Sequence, residues 1–106
     1  MKSVQSKLLQ NAATATGNGA EWNVAGLEKI SLQITGITTA TVSFEGSNDG
    51  GTTYAAIPFF NSAGSNASSA TANGMFVTYL TGYSLLRARI SAYTSGTIYV
   101  YGVGNG

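Results

Sequence analysis

The sequence predicts an all-β protein: an antiparallel β-sandwich, jelly-roll-like, with about eight short strands. Thr, Val, Ile, Tyr and Phe dominate the segments of alternating hydrophobicity, and Gly, Asn and Ser fill the gaps between them. No window shows the spacing of apolar residues that an amphipathic helix requires. The length of 106 residues suits a single domain. Within it, residues 1–19 supply an N-terminal arm, first strand and loop, and residues 20–106 supply the sandwich.

The predicted strands follow one another at short spacing. They lie near residues 4–10, 20–25, 28–35, 40–46, 53–60, 74–81, 84–92 and 96–103. Alternation along these segments separates an inner face from an outer face. The side chains assigned to the inner face are those of Ile30, Leu32, Ile34, Val42, Phe44, Leu86, Ala88 and Ile90, joined in the core by Phe59 and Phe76.

Turn-forming residues mark the connections. Residues 47–51 (SNDGG) are rich in residues that adopt positive φ and are expected to close a hairpin, and residues 94–96 (TSG) form a second such turn. The low-complexity segment 61–74 is the longest predicted loop. Pro58, the only proline, indicates an edge strand or a bend near residue 58.

A weak internal repeat relates the two halves of the chain. With a shift of 56 positions, residues 26–46 align without a gap on residues 82–102, with five identities that include Gly46/Gly102. The alignment predicts two antiparallel hairpins of equal length and register. Two such hairpins would suit a pseudo-symmetric sandwich.

The second of these hairpins would bring two arginines and two tyrosines together. If residue 90 pairs with residue 98, then Arg89 lies opposite Tyr99 and Arg87 opposite Tyr101 on the outer face. Arg and Tyr are enriched in interface cores, and an Arg side chain over a Tyr ring gives a cation–π pair. These four residues are therefore the predicted protein interface, and the alternative is a self-sufficient surface in which Arg stems cover Tyr rings.

Composition excludes several classes of function. Only nine residues are charged, and the chain contains no His and no Cys, which removes His-based catalysis, thiol nucleophiles and thiolate metal sites. A net charge of +1 gives no electrostatic footprint for nucleic acid, and no apolar stretch is long enough for membrane insertion. The turn interpretation of Asp49 is favoured over a calcium site, and Glu45 with Asp49 does not form a convincing catalytic carboxylate pair. We therefore predict a non-enzyme with no cofactor and no metal.

Three segments resemble a family of small β-sandwich virion proteins of bacteriophages and prophages. They are WNVAGL at 22–27, ATVSFEGSNDGGTTY at 40–54 and LLRARISAYTSGTI at 85–98, within a resemblance that spans roughly 20–103. The central segment also resembles a structural hairpin of discoidin-like and carbohydrate-binding sandwiches, although this chain is shorter and lacks the cysteines of discoidin domains. The resemblance implies no catalytic residues.

Two hypotheses follow. The first is a structural subunit of a phage particle, of capsid-decorating, head-fibre or tail-associated type. It would form a homo-oligomer and contact other virion proteins, with residues 1–10 as a docking arm. The N-terminal residues lack the apolar run of a signal peptide, so we expect synthesis in the host cytoplasm and location in the virion. The alternative is a carbohydrate- or host-surface-binding module, with Trp22 as an exposed platform for a glycan.

Overall fold

A computed structural model describes residues 4–79 and 84–106, and in these two ranges the regular structure is all β. The strands are β1 (Val4–Ala13), β2 (Trp22–Asn23), β3 (Lys29–Ser47), β4 (Ala55–Ala56), β5 (Phe59–Asn61), β6 (Asn66–Ala67), β7 (Ser69–Ala70), β8 (Gly74–Thr78) and β9 (Leu85–Asn105). They form one antiparallel sheet with the main order β1-β9-β3-β8-β5-β6. The short strand β2 adds to β9, and β4 and β7 add to β3. This confirms the predicted all-β fold class.

Two long strands organise the sheet. β3 has 19 residues and β9 has 21, and they pair with each other along nearly their whole length. Thus Glu45 lies opposite Arg87, and Gln33 lies opposite Tyr101. The two predicted hairpins, including the pairing of residue 90 with residue 98, are therefore wrong. Residues 94–96 are strand within β9 rather than a turn, because each segment finds its partner in the other half of the chain.

Both long strands bend sharply. A straight strand of 19 residues would measure about 63 Å, whereas the longest dimension of the molecule is 40 Å. Phe76 lies opposite Leu32 near one end of β3, yet its ring centroid is 5.5 Å from that of Phe44, twelve residues further along β3. Register shifts between residues 35 and 42 mark the bend, and Gly36 and Gly96 have positive φ there.

The bend folds the sheet into two layers with the core between them. One layer contains β1, the second half of β9, the first half of β3, β8 and β5, and the other contains β2 and the remaining halves of β9 and β3. Phe44 bridges the layers through its ring contacts with Phe59 and Phe76, with centroids 4.7 Å and 5.5 Å away. The residues that alternation assigned to the inner face are buried, while Phe76 is half-buried against the core.

The 56-residue repeat corresponds to a pseudo-two-fold arrangement. Leu86 pairs with Trp22, and Ile30, 56 positions before Leu86, pairs with Thr78, 56 positions after Trp22. A two-fold axis that exchanges β3 with β9 would superpose the first of these two contacts on the second. The two halves share this crossed pattern of contacts, but each contributes one long strand to the sheet, so the predicted pair of hairpins is wrong. Gly82, at one end of the aligned segment, lies outside the described residues.

Other predictions hold in part. The turn after residue 47 does close a hairpin, because Gly46 pairs with Ala55. Pro58 separates β4 from β5, so the predicted strand 53–60 is two short strands with a bend. The predicted loop 61–74 contains β6 and β7. The predicted strand 74–81 ends at Thr78 in the structure, and residues 80 and 81 lie outside the described ranges.

Candidate interaction surfaces

The structure separates the two arginines from the two tyrosines of the predicted interface. Arg87 and Arg89 lie on the first half of β9, and Tyr99 and Tyr101 lie on its second half, beyond the bend. All four alternate with buried neighbours and so point outward. The predicted single face is therefore wrong, because the two pairs lie on the outer faces of different layers.

The arginines form a cluster with Glu45 across the β3–β9 pair. Arg87 Nε lies 2.8 Å from Glu45 Oε1, and Arg89 Nη1 lies 3.5 Å from Glu45 Oε2. The Arg87 guanidinium also lies 3.7 Å from the centroid of the Tyr54 ring. Arg87 therefore stacks on a tyrosine from the loop after β3, and the predicted pairing of Arg87 with Tyr101 is wrong.

Tyr54 links this cluster to Glu21. The Tyr54 hydroxyl donates a hydrogen bond to Glu21 Oε2 at 2.5 Å. Burial, and then the hydrogen bond to Glu21, raises the pKa of Tyr54 to about 12, so the phenol remains a neutral donor. We call Glu21, Glu45, Tyr54, Arg87 and Arg89 the arginine cluster. Its polar groups contact one another within the chain.

The tyrosines form a different surface. The rings of Tyr99 and Tyr101 are stacked, with centroids 5.8 Å apart and planes 3° from parallel. Tyr101 is 42% exposed, and its partner in β1, Leu8, is 39% exposed. Large apolar side chains that neighbour one another on the outside of a sheet are unusual, because the solvated face of an antiparallel sheet is normally polar.

The same outer face continues across five strands. Register places Val4 and Leu8 of β1, Val103 of β9, Met75 and Val77 of β8 and Phe60 of β5 on the side of Tyr99 and Tyr101. We call this set, with Tyr79 at the end of β8, the tyrosine face. It contains all six of the large hydrophobic residues that are exposed in residues 4–79 and 84–106. They are Val4, Leu8, Met75, Tyr79, Tyr101 and Val103.

Tyr99 and Tyr101 were among the predicted interface residues, whereas the other residues of this face were not. Met75 and Val77 alternate with Phe76 and Thr78, and this alternation is a readable signal. The sequence does not show which strands are neighbours, since the residues of β8 pair with residues of β3 that lie 40 or more positions earlier in the chain.

Trp22 is not an exposed platform. It is 4% exposed and lies in the core. A Cβ atom on Gly102 would approach its ring to 2.6 Å, so the indole lies directly on the β9 backbone. The prediction that Trp22 stacks on a glycan is therefore wrong, and Gly102 is required because any side chain there would displace the indole.

A groove of about 500 Å³ lies between the turn after β3 and β4, with Asp49 in its lining. The Asp49 carboxylate accepts hydrogen bonds from Ser47 Oγ at 2.7 Å and from the Thr53 backbone N–H at 2.9 Å. The Thr53 N–H, followed by the Ser47 hydroxyl, lowers the pKa of Asp49. These contacts match the turn interpretation of Asp49. In the described ranges, no three potential metal-ligating side chains gather at one place.

Residues 4–79 and 84–106 contain no helix with the length and hydropathy needed to cross a bilayer.

Two solved structures share the fold of this chain. The chain has the fold of the SPBc2 prophage-derived protein YomS, with a TM-score of 0.86, 20% identity and coverage of 100% of this chain and 96% of YomS. It also matches the PBSX exported protein XepA, with a TM-score of 0.92 and 19% identity. That match covers 99% of this chain but 38% of XepA, so the chain spans less than half the length of XepA. No curated protein matches the sequence significantly.

The family follows from the sequence itself. The XepA family model matches residues 3–104, nearly the whole chain. The chain therefore belongs to the XepA family.

Proposed function

We propose that the chain is a non-enzymatic structural subunit of a bacteriophage particle and acts by packing against other subunits. The observation that carries this proposal is membership of the XepA family, together with the fold of a prophage-derived protein over the full chain. A capsid-decorating, head-fibre or tail-associated position is compatible with a small rigid sandwich. The proposed partners are other virion proteins and further copies of this chain.

The geometry favours the tyrosine face over the arginine cluster as the contact surface. The side chains of Arg87 and Glu45 are 17% and 15% exposed and already satisfy each other. Docking over them would remove water from paired charges with no new partner to compensate. Tyr99 and Tyr101 carry no charge, and burying their rings releases water from apolar surface, so that only their hydroxyl groups need hydrogen-bond partners at the contact.

The structure also changes the prediction that residues 1–10 form a docking arm. Residues 4–10 belong to β1 and pair with β9, so this part of the N-terminus is an ordered edge strand of the sheet rather than a free arm. Residues 1–3 lie outside the described residues. We propose that β1 contributes to packing through Val4 and Leu8, which lie on the tyrosine face.

Location in the virion is part of the proposal. XepA is described as an exported protein. For this chain, we propose synthesis in the host cytoplasm and release with the particle. The carbohydrate-binding alternative is not proposed, because Trp22, the residue that would have carried it, is buried.

Purified particles test the proposal. A culture that carries the phage is induced, particles are banded on a density gradient, and the chain is quantified by mass spectrometry against known particle proteins. We expect the chain to band with the particles at a fixed stoichiometry after extensive washing. A chain found only in the particle-free fraction would contradict the proposal. A culture in which the gene is deleted supplies the matched control for background.

A further inference from the structure

We propose that the groove between the turn after β3 and β4 receives a lysine side chain of another protein in the particle. This inference deepens the proposed function, on which it rests, by giving a chemical feature of one partner. The groove has a volume of about 500 Å³, which lies within the about 300–1,000 Å³ that is typical of ligand sites. It lies beside the second half of β3, in the layer that does not carry the tyrosine face.

The floor of the groove suits the hydrocarbon stem of a long side chain. Its lining includes Gly46, Ala55, Ala56 and Ile57, which are small or apolar. Gly46 and Ile57 are buried, and the two alanines are exposed to the groove and to solvent. A hydrocarbon stem placed on these side chains therefore removes no polar side chain from water. A lysine stem covers apolar surface of this kind while its ammonium group stays at the polar edge.

Asp49 supplies a negative charge at that edge. Backbone and then hydroxyl hydrogen bonds within the turn lower its pKa, so the carboxylate is ionised at neutral pH. No basic residue in the described part of the chain forms an ion pair with it. The two arginines of the arginine cluster pair with Glu45, and Lys7 and Lys29 lie in the layer of the tyrosine face.

The local balance of charge favours a cationic partner. The arginine cluster contains two carboxylates and two guanidinium groups, so its own formal charge is zero. One of those carboxylates, Glu21, lies across the same loop as Asp49, where a Cβ atom on Gly51 would touch its Oε2. With Asp49 added, the region carries one net negative charge, although the whole chain has a net charge of +1. A cation is therefore attracted to the groove, and an anion is repelled.

The geometry of the carboxylate favours lysine over arginine. The hydrogen bonds from Ser47 Oγ and the Thr53 N–H both end on Oδ1 of Asp49. They use the two lone pairs of that oxygen, so Oδ2 is the oxygen that remains for a ligand. The guanidinium group of arginine binds best to both oxygens of a carboxylate at once, whereas an ammonium group is a compact charge that a single oxygen can hold.

Asn48 gives the groove a hydrogen-bond donor for the main chain of the partner. Its Oδ1 accepts a hydrogen bond from the Ser84 backbone N–H at 2.8 Å. This bond orients the side chain and leaves the amide NH2 group as a donor. A lysine in an extended segment has main-chain carbonyl groups that can accept from it. A free polyamine has none, so we assign the groove to a lysine of a protein.

A titration followed by TROSY NMR, which tolerates self-association, tests the proposal on the isotope-labelled full chain. With Nα-acetyl-lysine N-methylamide, we expect the amide signals of Asn48, Thr53 and Ala56 to shift, with a Kd of about millimolar order. The norleucine analogue has the same four-carbon stem without the ammonium group. We expect it to bind about threefold more weakly, as one exposed ion pair implies. The arginine analogue and diaminobutane should also bind more weakly than the lysine analogue.

Two variants separate the charge of Asp49 from its role in the turn. Asp49→Asn keeps an acceptor for Ser47 and Thr53 but removes the charge, so we expect the preference for lysine over norleucine to disappear. The matched control is Glu28→Gln, which removes the same charge at an exposed position just before β3, at the other end of that strand. We expect it to keep the threefold preference. Thermal melting followed by circular dichroism confirms that both variants are folded.

Carbodiimide, which joins a carboxylate directly to an amine, identifies the occupant in banded particles. We expect mass spectrometry to find Asp49 linked to a lysine of another particle protein. A link to a lysine of a second copy of this chain, or links formed by the other carboxylates alone, would overturn the assignment.

Three results of the titration would also overturn the proposal. They are equal Kd values for the lysine and norleucine analogues, a lysine preference that survives Asp49→Asn, and shifts confined to other parts of the chain. Arginine or diaminobutane binding as tightly as the lysine analogue would overturn the choice of lysine. Failure here is distinguishable from failure of the proposed function, because the titration needs no particle, and the gradient experiment detects the chain in particles whether or not the groove binds lysine.

Discussion

The bend of the long strands depends on a glycine that no other residue can replace without displacing the backbone. Gly36 has φ +84°, a conformation that L-residues disfavour, and a Cβ atom built on it would overlap the carbonyl oxygen of Thr97 on β9. We predict that Gly36→Ala destabilises the fold severely. The added methyl group must either push β9 away from β3 or force Gly36 out of its conformation, and both changes disturb the crossing of the layers.

The structure supplies a control with the same backbone angle. Gly26 has φ +85°, and nothing lies within 4 Å of a Cβ atom built on it. Gly26→Ala therefore measures only the free-energy cost of holding an alanine at positive φ, which is about 1–2 kcal/mol. The lower conformational entropy of the unfolded variant offsets a small part of this cost. Gly36→Ala carries the same term plus about 1–3 kcal/mol for overpacking against the backbone. We expect Gly36→Ala to lower the free energy of unfolding by about 3 kcal/mol in total.

Urea unfolding monitored by circular dichroism measures both values. The difference in free energy of unfolding between Gly36→Ala and Gly26→Ala isolates the contact at the bend, provided that the m-values agree. We expect a difference of at least about 1 kcal/mol. Equal stabilities would refute the reasoning, because they would mean that β3 and β9 do not approach closely at residue 36.

Three further predictions concern single side chains. The pKa of Tyr54 is raised to about 12 from the ordinary 10.0, so the unfolded chain loses the phenolic proton first and stability falls as the pH rises from 10 towards 12. We expect Tyr54→Phe to lose less stability over this interval, and an identical pH profile would contradict the assignment. The pKa of Asp49 is lowered from 3.8 in the folded chain. The ionised carboxylate therefore stabilises the fold above pH 3.8, and this stabilisation is lost as the pH falls through the pKa of the folded state. In thermal melts we expect Asp49→Ala to be less stable than Asp49→Asn at neutral pH, since Asn keeps the acceptor for Thr53; equal melting temperatures would count against this turn. Trp22 is the only tryptophan, and its burial predicts blue-shifted fluorescence with weak quenching by acrylamide; emission like that of free tryptophan would show that it is exposed.

Local sequence patterns predicted much of the fold. Alternation in the segments around Leu32, Phe44 and Ala88 identified the buried face because the period of two is a direct property of the strand. The turn at residues 47–51 was readable because positive φ demands particular residues, and Gly50 and Gly51 adopt it.

Pairing between distant strands was not readable. Residues 94–96 have the composition of a turn, yet they lie within β9, where Gly96 packs against the backbone of Gly36. A glycine that permits a turn equally permits a close crossing of two strands, and only the tertiary context decides between them. The error in pairing then placed Arg87 beside Tyr101, when its actual neighbours are Glu45 and Tyr54.

The burial of Trp22 could not be inferred for a related reason. Its pocket is opened by Gly102 and Gly104, which lie 80 residues or more further along the chain and leave room for the indole against β9. The sequence shows Trp22 as a large aromatic residue near a loop. Without knowledge of the strand that lies against it, this position suits a binding platform as well as the core.

A reconstruction of the phage particle by electron cryomicroscopy tests the central claim most directly. We predict density for this chain in the particle, with the rings of Tyr99 and Tyr101 buried against another subunit and the arginine cluster left at the surface. Particles without this chain, or with the tyrosine face open to solvent and the arginine cluster buried, would contradict it.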